Sequence, residues 1–226
     1  GSALLPANQQ EETSHRYMLG LYDVMERLTT KFPHILFESC SSGGGRFDPG
    51  MLYYMPQTWT SDNTDAICRT KIQYGTSLVY PPVTMGCHVS TVPNHQVGRI
   101  TPLETRGNVA MAGNFGYELD LTKLTDEEKE IVKAQIEEYK QIRELVQFGD
   151  LYRIFNPFEG NESAWNIVSK DQEEMVSTYV KVLSLPGAPL RTIKFKGLNP
   201  EFKYMNLETE EVFGGDELMN VGLTIP

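Results

Sequence analysis

Residues 37–50 read F-E-S-C-S-S-G-G-G-R-F-D-P-G. A connection M-L-Y-Y-M-P-Q (51–57) then leads into T-W-T-S-D-N-T-D (58–65). Ile35, Leu36 and Phe37 follow Pro33 and predict a short buried strand. Residues 39–45 supply small side chains and backbone N–H groups where that strand ends, and glycine there lets a ligand approach the backbone closely. Thr58, Trp59 and Thr60 form a second β-prone run that ends in S-D-N-T. In parallel α/β proteins chemistry sits at the carboxyl ends of strands. The stretch therefore predicts a site carried on an α/β scaffold.

Working outward, residues 12–30 place Met18, Leu21, Tyr22, Met25 and Leu28 on one helical face. Residues 62–74 read as a strand exit into a short helix ended by Gly75. S-L-V-Y (77–80) reads as another apolar strand, closed by Pro81-Pro82. Residues 83–102, rich in Pro, Asn, His and Gly, read as a loop, and F-G-Y-E-L-D-L (115–121) is strand-like. Thr125 with Glu128 forms a capping box. Val132, Ile136, Tyr139, Ile142 and Val146 follow at helical spacing, and Phe148-Gly149 closes that helix. Strands and helices alternating up to 149 imply a parallel sheet with helices outside.

From 150 the pattern changes to short β-prone runs at 151–154, 164–169, 175–185, 192–195 and 202–207. Turn residues such as Asn156-Pro157, Gly160-Asn161, Pro186-Gly187 and Gly214-Gly215 separate them. That predicts an antiparallel β-sandwich, or part of one. The expected division is residues 1–149 and 150–226. Only about four βα units fit before 150, half of the eight that close a barrel.

Composition narrows the partners. Twenty Lys and Arg against 30 Asp and Glu give a net charge of −10 over 226 residues. This disfavours nucleic acid, whose phosphates need a basic surface, and anionic membranes. No apolar run approaches the roughly 20 residues of a membrane span, and G-S-A-L-L-P-A-N-Q-Q shows no secretory pattern. Cys40, Cys68 and Cys87 are an odd count without C-x-x-C spacing, which fits a reducing, cytoplasmic setting better than a disulfide framework or zinc knuckle.

Several residues are candidates for chemistry, each with a plainer reading. Asp62 is either a general acid/base or a cap of the helix that follows. Asp65, in that helix's first turn, reads as structural. S-S-G-G-G-R is either a tight turn or a ligand loop. A phosphate cradle is disfavoured because no G-K-[S/T] follows and Phe47-Asp48-Pro49 is not expected to open a helix. Cys40 lacks a histidine nearby in sequence and reads as a packing or ligand-contact residue, not a nucleophile. Trp59 is either core or a stacking surface, and Glu38 is placed to orient the loop. His88, His95 and Glu104 fit no standard metal spacing, so no metal is expected.

One long, ordered match supplies more. C-S-S-G-G-G-R-F-D-P-G-M-L-Y-Y-M-P-Q-T-W-T-S-D-N-T-D-A (40–66) is followed by K-I-Q-Y-G-T-S-L-V-Y-P-P (71–82), M-G-C-H-V-S (85–90), N-H-Q-V-G-R (94–99) and G-N-F-G-Y-E-L-D (113–120). With the opening S-A-L-L-P-A-N-Q-Q-E-E-T-S-H-R-Y (2–17), this series resembles the family 36 glycoside hydrolases, the bacterial α-galactosidases that cut raffinose-type sugars. The resemblance implies the second half of a (β/α)8 TIM barrel followed by an incomplete antiparallel β-sandwich, and hence a fragment of a larger enzyme.

It further implies a retaining mechanism with two carboxyl groups about 5–5.5 Å apart. The family's nucleophile sits in a K-W-D-M-N-like motif absent from this chain, which places it upstream of Gly1. The acid/base maps to Asp62, whose pKa must be raised by burial or by a neighbouring carboxylate. The sugar-contacting loop maps to Cys40, Ser41, Ser42 and Gly43, with Trp59 as a possible stacking surface. No cofactor is implied, and the expected partners are α-galactoside oligosaccharides and further copies of the chain in a tetramer. The alternatives are a catalytically incomplete, at most sugar-binding module, or a galactosyl transferase.

Overall fold

The computed structural model describes residues 1–41 and 45–225, which divide into two compact units, 1–59 and 60–226. In the first unit a 3-10 turn, Ala7–Glu12, leads into helix α1, Thr13–Lys31. The expected helical face holds: Met18, Leu21, Tyr22 and Met25 are half-buried, whereas Leu28 at its end is exposed. The strand expected at 35–37 is not one. Ile35 and Leu36 are exposed coil, and strand β1 is Glu38–Ser39.

Helix α2 is Pro49–Tyr54, and strand β2 is Gln57–Thr58. Against expectation, Asp48-Pro49 does open this helix. The Asp48 side chain accepts from Met51 N at 2.8 Å, and proline at the first helical position loses no needed hydrogen bond. A Cβ on Gly50 would lie 2.3 Å from the Tyr22 hydroxyl, so glycine there lets α1 and α2 approach. β1 and β2 pair in parallel, Glu38 opposite Gln57 and Ser39 opposite Thr58.

The second unit opens with helix α3, Ala66–Ser77, strand β3, Gly86–Ser90, helix α4, Leu103–Ala110, and strand β4, Asn114–Glu118. β3 and β4 pair in parallel from Gly86–Asn114 to Ser90–Glu118. The apolar run at 77–80 is not the strand. α3 continues past Gly75, Leu78 N bonds back to Gly75 O, and the N–H groups of Val79 and Tyr80 bond to Thr76 O. Leu78 and Val79 are consequently exposed. The strand lies instead in the stretch read as loop, where Cys87 and Val89 are fully buried.

Helix α5, Asp126–Phe148, starts on the expected capping box, Glu128 N donating to Thr125 Oγ1 and Thr125 N to Glu128 Oε2. It covers β3 and β4 through Val132, in a core with Met85, Cys87, Val89, Leu103 and Ala110. Buried Gln135 ties this layer together by donating to Leu103 O and accepting from Tyr117 Oη.

Strands β5, Asp150–Phe155, β6, Glu162–Val168, and β7, Met175–Lys181, form an antiparallel sheet in sequence order. β8, Arg191–Ile193, β9, Lys203–Met205, and β10, Val212–Gly214, precede helix α6, Gly215–Asn220, and strand β11, Leu223–Ile225. β8 pairs with β11 and β9 with β10, all antiparallel. Gly214-Gly215, expected as a turn between strands, starts α6, where Gly214 N donates to the Glu217 carboxylate and Leu218 enters the core beside Val168, Ile193 and Phe195. The antiparallel second part is as expected. No sheet of the described residues closes into a barrel.

Leu103→Ala in the α4–β3 core is expected to lower unfolding stability by about 2–5 kcal/mol, as for buried leucines generally. A urea titration checks this, and a loss under about 1 kcal/mol would show that the cluster is not held together there.

Candidate active site

The β1–β2 pair sets a candidate region in the first unit. Because Ser39 lies opposite Thr58, Cys40 and Trp59 emerge from the same carboxyl edge of the pair. Trp59 N donates to Ser39 O at 2.9 Å, and Thr58 Oγ1 donates to the same carbonyl at 3.1 Å, so the edge is pinned by main-chain and side-chain bonds together. Cys40 is exposed, while Ser41 and Trp59 are half-buried. Ser41 O accepts from Gly45 N at 2.9 Å, and a Cβ on Gly45 would lie 2.7 Å from that oxygen, so the loop's return needs glycine. Ser42 and Gly43 lie outside the described residues. Glu38, expected to orient loop residues, accepts from Gln57 Nε2.

A separate candidate region is the turn at 61–65, in the second unit. Asn63 N donates to Ser61 Oγ and Asp65 N to Asn63 Oδ1, each at 3.1 Å. The two carboxylates of this turn meet opposite fates. Asp65 is the N-cap of α3: its side chain accepts from Cys68 N at 2.9 Å and is ion-paired with Arg99, and it is 1% exposed. Asp62 is exposed, and its carboxylate makes no hydrogen bond or ion pair among the described residues. The capping alternative for Asp62 is therefore corrected: the helix is capped by Asp65, three residues on. The burial expected around Asp62 is not provided either.

A third group went unassigned in the sequence. Asn94, Gln96 and Arg99 reach the 61–65 turn from the segment after β3. Asn94 is 3% exposed, and its Nδ2 donates to Thr64 Oγ1 at 2.9 Å. Gln96 Oε1 accepts from Thr64 N at 3.1 Å, while its Nε2 donates to the Asp62 carbonyl. The segment folds tightly because Gly98 takes a φ of 69° and closes Gly98 N on Asn94 O at 2.7 Å. The signal was legible as N-H-Q-V-G-R, three side chains rich in hydrogen-bonding groups beside a glycine. His95, between Asn94 and Gln96, is exposed. Among the described residues no group of three or more His, Cys, Asp or Glu is placed to hold a metal ion. His88 lies 3.9 Å from the Glu118 carboxylate.

Electrostatics follow the burial. Burial first, then the Asp65 carboxylate, pushes the Cys68 thiol above its ordinary pKa. Burial also pushes up the Cys87 thiol, against the Arg69 guanidinium. Neither is therefore an activated nucleophile. No helix of the described residues is long and apolar enough to cross a membrane.

The different fates of the two aspartates have a measurable consequence. Asp65→Ala removes the cap and leaves Cys68 N and Arg99 without their carboxylate, and is expected to cost about 1–3 kcal/mol. Asp62→Ala is expected to stay within about 0.5 kcal/mol of the parent. Thermal or urea unfolding of both variants checks the ranking, and the reverse order would mean that the structural carboxylate has been misassigned.

Comparison with known proteins gives this geometry a family. Residues 1–149 match the melibiase family, and residues 162–226 match the glycosyl hydrolase family 36 C-terminal domain. The chain is 63% identical over its full length to the α-galactosidase AgaA of Geobacillus stearothermophilus, and covers 31% of that protein. A crystal structure of an AgaA variant in complex with raffinose superposes with a TM-score of 0.97 at 62% identity, over 100% of this chain and 31% of that one. The α-galactosidase of Lactobacillus brevis superposes with a TM-score of 0.97 at 51% identity, over the same shares. The chain thus spans about a third of the length of these relatives. On the strength of the match over residues 1–149, the chain belongs to the melibiases of glycosyl hydrolase family 36.

Proposed function

We propose that this chain is part of a retaining α-galactosidase acting on terminal α-linked galactose in raffinose-type oligosaccharides and melibiose, and that Asp62 is its acid/base. The observation that carries the assignment is the sorting of the two carboxylates. Asp65 is buried and committed to Cys68 N and Arg99, whereas Asp62 is exposed and has no side-chain partner among the described residues. A proton donor must reach a substrate oxygen, and a buried capping carboxylate cannot do so without giving up its helix.

In this reading a nucleophilic carboxylate from a segment outside this chain attacks the anomeric carbon. Asp62 donates its proton to the glycosidic oxygen as the C–O bond breaks. The Asp62 carboxylate then takes a proton from the water that attacks the galactosyl–enzyme, and galactose leaves with its configuration retained. The reaction needs no metal or organic cofactor. The loop from Cys40 through Gly43 offers backbone N–H groups and small side chains to sugar hydroxyls, and Trp59 offers a ring face at the same strand edge. The three free thiols support a reducing, cytoplasmic setting, and assembly as a homo-oligomer belongs to the same proposal.

In the full-length enzyme, Asp62→Ala is expected to reduce kcat/KM for raffinose by about 10²–10⁴-fold. The loss should be much smaller for aryl α-galactosides whose phenolate needs no protonation. Equal losses on both substrates would place the acid elsewhere. The loop has its own check: saturating galactose is expected to slow alkylation of Cys40 by iodoacetamide, while buried Cys87 stays unmodified throughout. An unaltered Cys40 rate would remove it from the sugar site.

A further inference from the structure

Resting on the assignment of Asp62 as acid/base, we infer that Gln96 is a positioning residue for that carboxylate. Asp62 has no side-chain partner among the described residues to hold it, so its direction depends on how its main chain is held. The hold comes from one side-chain amide that uses both ends. Gln96 Nε2 donates to the Asp62 carbonyl, and Gln96 Oε1 accepts from Thr64 N at 3.1 Å. Residues 62 and 64 are thereby bridged as a neighbouring strand would bridge them.

The bridge is itself anchored. Asn94 Oδ1 accepts from Gln96 N at 3.0 Å and from Val97 N at 3.2 Å, which fixes the backbone from which Gln96 projects. Asn94 Nδ2 donates to Thr64 Oγ1, which donates onward to Ser90 Oγ at the end of β3, both at 2.9 Å. The Asp62 main chain is thus tied through Gln96 and Thr64 to a buried strand end. Arg99, from the same segment, holds Asp65, the residue immediately after Thr64. Arg99 and Asn94 fix the α3 start and the middle of the turn, while Gln96 alone among these three grips Asp62 itself.

A group that acts by aiming a proton donor has a distinct kinetic signature. Misplacement of a catalytic group by about 1 Å costs on the order of 10²-fold, but only where the aimed proton matters. In the full-length enzyme, Gln96→Ala is expected to lower kcat/KM for raffinose by about 10–100-fold, and to change it by less than about 3-fold for an aryl α-galactoside with an acidic phenol. In an Asp62→Ala background the same substitution should cost nothing further on raffinose, since its target is gone.

Gln96→Met, of similar length and without hydrogen-bonding groups, serves if the alanine variant does not fold. Gln96→Glu keeps the acceptor for Thr64 N and loses the donor to Asp62, so it should follow the alanine pattern. Equal losses on both substrates, no loss on either, or additive losses in the double variant would overturn the positioning role while leaving Asp62 in place. If Asp62→Ala itself shows no dependence on leaving group, the acid/base assignment falls, and the role of Gln96 falls with it.

Discussion

Burying a carboxylate is the constraint on which the site depends. Asp65 is almost wholly removed from water, and such a charge is tolerated only when hydrogen bonds and a counter-charge replace its hydration. Cys68 N and Arg99 supply both. Arg99 is 41% exposed, so the ion pair alone is worth little. Its importance lies in completing the shell around an already buried group. Once Asp65 is fixed, α3 must begin at Ala66, and the turn at 61–65 has one exit. Asp62, three residues earlier, stays exposed.

A second constraint comes from the parallel pairing of short strands. β1 and β2 are only two residues each, too short to be stable alone, yet their register delivers Cys40 and Trp59 to one carboxyl edge. β3 does the same for the segment that carries Asn94, Gln96 and Arg99, because Ser90 at its end is the last anchor of the polar chain through Thr64. In the second unit, α4 and α5 and the core around Cys87 and Val89 hold β3 and β4 in place.

What was legible in the sequence, and what was not, follows from range. The long helices were readable because periodicity and the Thr125–Glu128 box are local signals. The family was readable because many short motifs occur in order. The strands at 35–37 and 77–80 were misread because apolar content alone does not make a strand; a paired neighbour does, and Ile35, Leu36, Leu78 and Val79 have none and lie exposed. β3 was missed because G-C-H-V-S carries few strand formers, and its burial comes from α4 and α5. Asp48-Pro49, not expected to open a helix, carries both start signals, a capping side chain and a proline at the first helical position. The role of Gln96 was beyond reach, since 34 residues separate it from Asp62.

Chemical rescue reads the role of Asp62 directly. Asp62→Ala in the full-length enzyme, given an aryl α-galactoside and azide, should turn over faster as azide is added and form α-galactosyl azide. In that case azide has replaced the water that the missing base would activate, on a galactosyl–enzyme already formed. Identification of the anomer by NMR decides the matter. A β-galactosyl azide would make Asp62 the nucleophile, and no azide product, with turnover still impaired, would remove it from the reaction's proton transfers altogether.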